Sequence, residues 1–485
     1  MQKRTIAAPE SEKANDVRSS NRHKRYVFFA VASLALFMSS ASGTIVATAL
    51  PVIERSLHAN LVWAGWIITA YQLMTLTMMP LVGRISDEWG RKRVYIGSIF
   101  IFTFGSLVCA LAPDISWLIA ARFFQALGGG GFMPSAMGIV GDHFGKDRAR
   151  AIGMFTSIFP LGGIVGPALG GWLLDFARWQ VIFLINVPIG VLVLVLSSLL
   201  LEPDPAVRRT RVDFPGAGLF AVSILSLMYF LTRIGENPAA IFSWVTWSFL
   251  AAGTILLIIF LSWEKRADSP ILEISLLKNP TFAVSNVLNL LYGACILGLM
   301  AFIPYYAQLV YGMSSLASGS LLTARALGMI GTSALVSLFL SRTGYRLPMA
   351  AGFLVLAAST LGMGLVPHGP AVGSWAMSDY WWLAALVFTS GVGIGLASPS
   401  SNNAAIELMP EKIAAISGLR GMFRQTGGVI GTSLILLFLS FCQEKGAGFR
   451  TVFTGMAIFL LLATPLVKKV PDGRGIERKK NGLID

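Results

Sequence analysis

The sequence predicts an all-α polytopic membrane protein: 14 transmembrane helices, built as two six-helix bundles plus two inserted helices. Three observations predict it. The 485 residues are 55% hydrophobic and only 13% charged, about half the charge of a soluble domain. The apolar residues fall in repeated runs of about 20, the length that spans a bilayer core. Lys and Arg alternate between abundant and scarce in successive connections. This composition excludes a soluble enzyme, a disordered chain and a disulfide scaffold, and it lacks the ten-residue alternation of an outer-membrane barrel.

The elements follow from apolar runs bounded by charge and by Gly or Pro. A polar, basic tail (1–25) precedes a first run at 26–53, which is long and followed by thirteen others, so it is expected to be an anchor and not a cleaved signal peptide. Runs at 62–82, 94–113, 116–141, 150–174 and 178–201 complete the expected N-terminal bundle (26–201). A linker (202–280) holds the two inserted spans, 215–233 and 241–263. The expected C-terminal bundle (281–467) has spans at 281–310, 316–340, 347–366, 380–400, 413–440 and 450–467, followed by a tail (468–485).

With the N-terminus inside, the inside segments hold 29 Lys and Arg, the outside loops 5, and the spans 4. That asymmetry is expected to put both termini in the cytoplasm and explains the net charge of +14 topologically, so no nucleic-acid partner is expected; the positive tails and the absence of an organelle signal fit a multi-pass protein of the cytoplasmic (inner) membrane. Cys109, Cys295 and Cys442 lie in apolar runs without paired spacing and read as small packing residues. No metal cluster, nucleophile elbow or phosphate loop is visible, so neither cofactor nor enzymatic activity is expected.

The chain repeats itself. Shifted by 265 residues, 128–166 falls on 393–431 without a gap, with nine identities including Gly128/Gly393, Gly130/Gly395, Pro134/Pro399, Gly162/Gly427, Gly163/Gly428 and Gly166/Gly431. Asp142 falls on Glu407. Spans 4–5 and 12–13 are therefore expected to be equivalent parts of two halves, an arrangement that places a substrate site at the interface of the halves.

Three segments carry chemistry. The loop after span 2 runs from Gly83 through Asp87 and Gly90 to Arg91, Lys92 and Arg93. Asp87 can accept hydrogen bonds from a neighbouring helix N-terminus and pair with Arg91, while Gly83 and Gly90 suit a tight turn and close helix approach; a solvated charged turn is the alternative. Span 4 carries Arg122 and Gln125, the arginine about 9 Å deep, where a charge marks function unless it snorkels to the interface. Span 5 carries Gly162, Gly163, Gly166, Pro167, Gly170 and Gly171: Gly162, Gly166 and Gly170 share a face, and Pro167 weakens the helix.

These segments resemble the signature motifs of the major facilitator superfamily: its GxxxDxxGRK loop, the arginine-glutamine-glycine motif of span 4, and the proline-glycine antiporter motif of span 5. Fourteen spans and Arg424-Gln425-Thr426-Gly427-Gly428 resemble its fourteen-helix drug:proton antiporter branch. The resemblance implies alternating access by two rocking bundles, with protons as the coupling ion and a monomeric chain. It implies that Asp87 and Arg91 latch the cytoplasmic gate, that Arg122 takes part in coupling with Gln125 beside it in the motif, and that the span 5 glycines and proline form the hinge. One departure stands out. Where that branch carries an aspartate before its Thr-Ile-Val run, this chain has Ser42 before Thr44-Ile45-Val46, and none of its 24 acids lies near a membrane midplane.

The deep charges are basic. Arg325 lies about 14 Å from the outer end of span 10, Arg424 is about eleven residues into span 13, and Arg420, one turn shallower, is expected to snorkel to the cytoplasmic surface. Leaving such a charge in lipid costs at least about 2.5–3.5 kcal/mol, so Arg325 and Arg424, with Gln425, are expected to face a substrate cleft. Asn286 and Asn289 share a face of span 9 and join that expectation, as do Tyr71 and Gln72 of span 2. The functional reading is an exporter of amphipathic small molecules. An exporter or flippase of an anionic amphiphile or lipid precursor is the alternative, and a non-transporting receptor or assembly subunit a third. The inserted spans 7 and 8 are expected at the periphery.

Overall fold

The computed structural model describes residues 10–144, 151, 154–155, 158–201, 213–267, 270, 274–372, 375–408, 413–470 and 472. Fourteen membrane-length helical segments follow one another: α1 (Glu10–Ser56), α2 (Leu61–Trp89), α3 (Arg91–Ala110), α4 (Ile115–Phe144), α5 (Ile158–Phe176), α6 (Val181–Leu200), α7 (Phe214–Glu236), α8 (Trp244–Glu264), α9 (Pro280–Tyr311), α10 (Ser315–Thr343), α11 (Arg346–Leu365), α12 (Asp379–Leu408), α13 (Ile413–Phe441) and α14 (Lys445–Ala463). Among the described residues, twelve of the fourteen are long and apolar enough to cross a membrane. The other two are α4, which carries Arg122 and a glycine run, and α5, whose apolar described stretch (Leu161–Phe176) is shorter. Among the described residues the protein is all-helical apart from two two-residue strands, Ala371–Val372 paired antiparallel with Trp375–Ala376, in the α11–α12 connection.

Local chemistry starts and stops these helices. Asn60, Asp213, Asn279 and Ser314 cap α2, α7, α9 and α10 by accepting from a backbone N–H of the first turn. Gly90, at φ 99°, makes the abrupt turn from α2 into α3, a conformation that favours glycine. Inside α9 the α-helix gives way to a π turn at Ala294–Gly298 and a 3₁₀ turn at Leu299–Phe302 before resuming.

The helix packing repeats with a shift of eight helices. α2 and α3 pack on α4 as α10 and α11 pack on α12; α1 packs on α5 as α9 on α13; α3 packs on α6 as α11 on α14. The repeated glycines make these approaches. A Cβ at Gly128 would collide with the α3 backbone, and one at Gly393 with the α11 backbone. Gly130 and Gly395 meet α2 and α10 in the same way, Gly162 and Gly427 meet α1 and α9, and Gly166 and Gly431 meet α1 and α9 one turn further on. Small residues let helix backbones touch where lipid offers no hydrophobic drive, so the sequence repeat is a repeat of contact points.

The two sets of six meet along α5 on α10 and α2 on α13, again equivalent pairs. The contacts between them gather at the end opposite the termini, here the far end: Gly171 against Ser315, Gly65 against Leu436, and Gln308 Nε2 donating to the Thr48 carbonyl at 3.0 Å.

One of the two inserted helices departs from the expected peripheral place. α8 is peripheral, packing on α7 and exposing Trp244, Trp247, Ile255, Ile258, Ile259 and Trp263. α7 is not: it packs against both α2 and α13, across the seam between the sets. Buried Trp66 of α2 donates to Thr232 of α7 at 2.8 Å, and Trp63 donates to Glu236. The physical reason is the burial of Trp66 and Thr232, which gives α7 a polar anchor inside the bundle.

Candidate functional site

At the termini end, the α2–α3 turn holds the Gly83–Arg91 motif. The Asp87 side chain lies outside the described residues. Arg91 donates from Nη1 to the Gly138 carbonyl of α4 at 2.8 Å, an interaction inside its own set of helices. Gly83 is not a point of close approach, since a Cβ there would sit 3.5 Å from Pro134, an ordinary contact.

Arg122 does not snorkel. It is 0% exposed at the centre of the first set, as is Gln125. Its Nε donates to the Ile67 carbonyl at 3.1 Å and its Nη1 to Gln125 Oε1 at 2.6 Å. Nη1 also reaches Ser42 Oγ, at 3.5 Å. Gln125 Nε2 donates to Ser106 at 2.7 Å and approaches Ser42 at 3.4 Å. Tyr71, a sequence candidate for the cleft, belongs here instead: it is buried, its ring centroid lies 4.0 Å from the Arg122 guanidinium carbon, and its hydroxyl is paired with Ser39. That face-on contact is a cation–π interaction, strengthened by exclusion of water. Gln72 is half-buried, with its Oε1 enclosed and unpaired among the described residues.

The span 5 motif divides between two jobs. Cβ atoms at Gly162, Gly166 and Gly170 would lie 2.6 Å from Ser40 Cβ, 2.3 Å from Thr44 Oγ1 and 2.5 Å from Ile45 Cγ1, so this face seats α5 on α1. The other face meets α10 across the seam: Gly171 against the Ser315 carbonyl (2.3 Å), and the Pro167 carbonyl against Gly319 (2.3 Å to its would-be Cβ). Gly163 touches neither tightly, its nearest atom being Ser40 Oγ at 3.9 Å.

In the second set, Arg420 corrects the snorkelling expectation. It is 4% exposed and held by three neutral acceptors: Ser401 Oγ at 2.6 Å, Ser285 Oγ at 2.8 Å and Asn402 Oδ1 at 3.3 Å. Asn286 and Asn289 are buried within the second set, where Asn289 lines a small cavity with Tyr292, Ser401, Asn402 and Arg420. Asn286 is 0% exposed and donates to the Phe282 carbonyl of its own helix; Asn289 donates to the Arg420 carbonyl and ties α9 to α13. Arg325 is half-buried, and its Nη1 lies 3.4 Å from the Ile296 carbonyl, in the π turn of α9. Arg424 and Gln425 are half-buried, and neither side chain has a hydrogen-bond or ion-pair partner among the described residues. A backbone carbonyl, not a carboxylate, is thus what Arg325 finds at depth.

Sequence reasoning missed the far-end cluster. Glu54 (α1) accepts from Tyr305 (α9) at 2.8 Å and lies 3.3 Å from Lys445 Nζ (α14), bridging the two sets. These groups line a 630 Å³ vestibule with Arg55, His58 and Gln308. Its only sequence signal was that Glu54 and Lys445 are charges at span ends on the same side of the membrane. Ser285, Ser401 and Asn402 were missed as well; the run Ser400-Ser401-Asn402-Asn403 inside an apolar span could have marked them.

The geometry is that of a two-fold repeated helical transporter, and comparison agrees. The model of the Major Facilitator Superfamily matches residues 32–432. The chain is 30% identical over 425 residues to the multidrug transporter protein MdtP of Bacillus subtilis, covering 86% of this chain and 76% of that one. It is 28% identical over 478 residues to the putative multidrug resistance protein MdtD of Salmonella heidelberg, covering 93% and 97%. In fold it is similar to a crystal structure of the peptide transporter POT in complex with sulfate (TM-score 0.66, 18% identity, 91% and 95% covered). A transporter and not an enzyme, the chain belongs to the Major Facilitator Superfamily.

Proposed function

We propose that the chain exports amphipathic small molecules across a cytoplasmic membrane by alternating access, in the manner of the multidrug-efflux branch. The units that rock are 26–201 and 281–467, joined by 202–280, and the working unit is a monomer with both termini in the cytoplasm. The observation that carries this is the placement of the contacts between the sets. They gather at the far end, on close glycine contacts (Gly171–Ser315, Gly319–Pro167, Gly65–Leu436) and two polar bridges (Glu54–Tyr305–Lys445 and Gln308–Thr48). Such interfaces can part without breaking either bundle. With the positive-inside orientation, this state is closed outside. The two relatives named above, with multidrug in their names, support the substrate class.

A second reading, export of an anionic amphiphile, is favoured by the basic character of the second set. Arg325, Arg420 and Arg424 have no acid partner among the described residues. The test is a substrate screen in proteoliposomes under an imposed pH gradient, comparing cationic with anionic amphiphiles. Transport of neither class would sink both readings, and transport indifferent to the gradient would sink proton coupling. The double variant Arg325→Gln, Arg424→Gln keeps polarity and removes charge. On the anionic reading it loses anion transport at least tenfold and gains tolerance for cations. If the parent ignores anions and the variant exports cationic dyes as well as the parent, the multidrug reading stands alone.

Asp87 and Arg91 are proposed as the cytoplasmic latch that holds the opposite, outside-open state. Removing a charged partner from a hydrogen bond costs about 1.5–3 kcal/mol, enough to move a two-state equilibrium at least tenfold. Asp87→Asn should therefore slow turnover at least tenfold while substrate binding changes little. Wild-type turnover in Asp87→Asn vesicles would remove the latch assignment.

A further inference from the structure

We propose that the buried Arg122 cluster is a binding site for a small monovalent anion of the chloride class. The argument is a balance of donors, acceptors and charge. Arg122 is 0% exposed, and no carboxylate faces it among the described residues. The elements packed around it present Ser42 from α1, Ile67 and Tyr71 from α2, Ser106 and Cys109 from α3, Gln125 from α4 and Phe183 from α6. The acceptors among them are taken. The Ile67 carbonyl receives Nε, Gln125 Oε1 receives Nη1, and Ser106 Oγ receives Gln125 while donating to the Phe102 carbonyl at 2.7 Å.

What remains unpaired among the described residues is a set of donors. Arg122 Nη2 is enclosed with no partner. Ser42 Oγ receives two long contacts, at 3.5 and 3.4 Å, near the limit of a hydrogen bond, and its own O–H has no acceptor among them. The site thus holds leftover N–H and O–H groups around one full positive charge. A water molecule fits this poorly, because it brings two hydrogens that themselves need acceptors and adds no charge. A halide needs no acceptor and supplies the missing charge. Leaving a buried charge unpaired is strongly unfavourable, and the ring quadrupoles of Tyr71 and Phe183, 4.0 and 5.7 Å from the guanidinium carbon, are partial charges that offset it only in part. Because the cluster is sealed, the anionic group of a large substrate cannot reach it in this state, so the occupant is a free ion.

The test uses the full-length purified protein without substrate, so its result is independent of the transport reading. Chloride is exchanged for gluconate at constant ionic strength, and thermal unfolding and retention of ³⁶Cl⁻ are measured. The parent should unfold several degrees higher in chloride, saturably, and retain one ³⁶Cl⁻ per chain. Ser42→Asp supplies a fixed carboxylate beside the guanidinium; it should lose ³⁶Cl⁻ retention and unfold at the same temperature in both salts. Arg122→Gln should also lose retention, and either variant suffices if the other fails to fold. A parent that retains no ³⁶Cl⁻, or variants that retain it as the parent does, would overturn the site.

Discussion

Gly171→Leu is expected to abolish transport while the protein still inserts and folds. A Cβ at this position would stand 2.3 Å from the Ser315 carbonyl oxygen and 2.7 Å from Leu316 Cα. Both are backbone atoms, so no side chain can swing aside. Overpacking of this kind costs about 1–3 kcal/mol, and here the strain has an outlet. Ser315 and Leu316 begin α10, in the other set of helices, so parting the far ends removes the collision at no cost to either set. The variant should therefore populate the outside-open state and fail to return from it. Gly319→Leu, which meets the Pro167 carbonyl at 2.3 Å from the opposite side of the same seam, should do likewise. The readout is double: transport falling at least tenfold, and a cysteine placed at Gln308 in the far-end vestibule becoming more reactive to a membrane-impermeant maleimide. Wild-type transport in Gly171→Leu would mean that the α5–α10 seam does not close in the cycle.

The helices themselves were legible because lipid imposes a simple rule: a span must be long, apolar and self-satisfied in its hydrogen bonds. The repeat was legible for a related reason. Where glycine alone permits two backbones to touch, the same residue recurs at the same register, and Gly128/Gly393 and Gly162/Gly427 occupy matching contacts. What the sequence could not separate were the two faces of α5. Gly166 and Gly171 look alike in a linear string, yet one meets α1 of its own set and the other meets α10 across the seam.

Side-chain partners were the least legible. Arg420 looked shallow enough to snorkel, but depth along a helix says nothing about which way a side chain turns, and three neutral oxygens from α9 and α12 hold it inside. Tyr71, Asn286 and Asn289 were placed in a cleft because they are polar within apolar spans. Such residues serve equally as ties between helices, and here Tyr71 lies against Arg122 while Asn289 binds the α13 backbone. The Glu54–Lys445 pair joins residues 391 apart in sequence, and only the folded bundle brings them together.

Gly166→Leu should fail differently from Gly171→Leu, although five residues separate them on one helix. A Cβ at Gly166 would lie 2.3 Å from Thr44 Oγ1 and 2.8 Å from the Ala41 carbonyl, both on α1. α1 and α5 belong to the same set and must stay packed in every state of a rocking mechanism, so no conformational change relieves the collision. The strain falls on the bundle, where membrane helices associate through close packing with little hydrophobic drive to replace it. Gly166→Leu should thus lose monodisperse folded protein, with a lowered unfolding temperature in detergent. Gly431→Leu, whose Cβ would lie 2.9 Å from Ala294 Cα at the equivalent place in the other set, should show the same defect. Gly163→Ala, with its nearest neighbour at 3.9 Å, should behave as the parent. Size-exclusion profiles and thermal unfolding of the three variants, run beside Gly171→Leu, distinguish a wall inside a rigid bundle from a seam that opens. A Gly166→Leu protein as stable as the parent would show that α1 and α5 slide, and that the moving units are smaller than six helices.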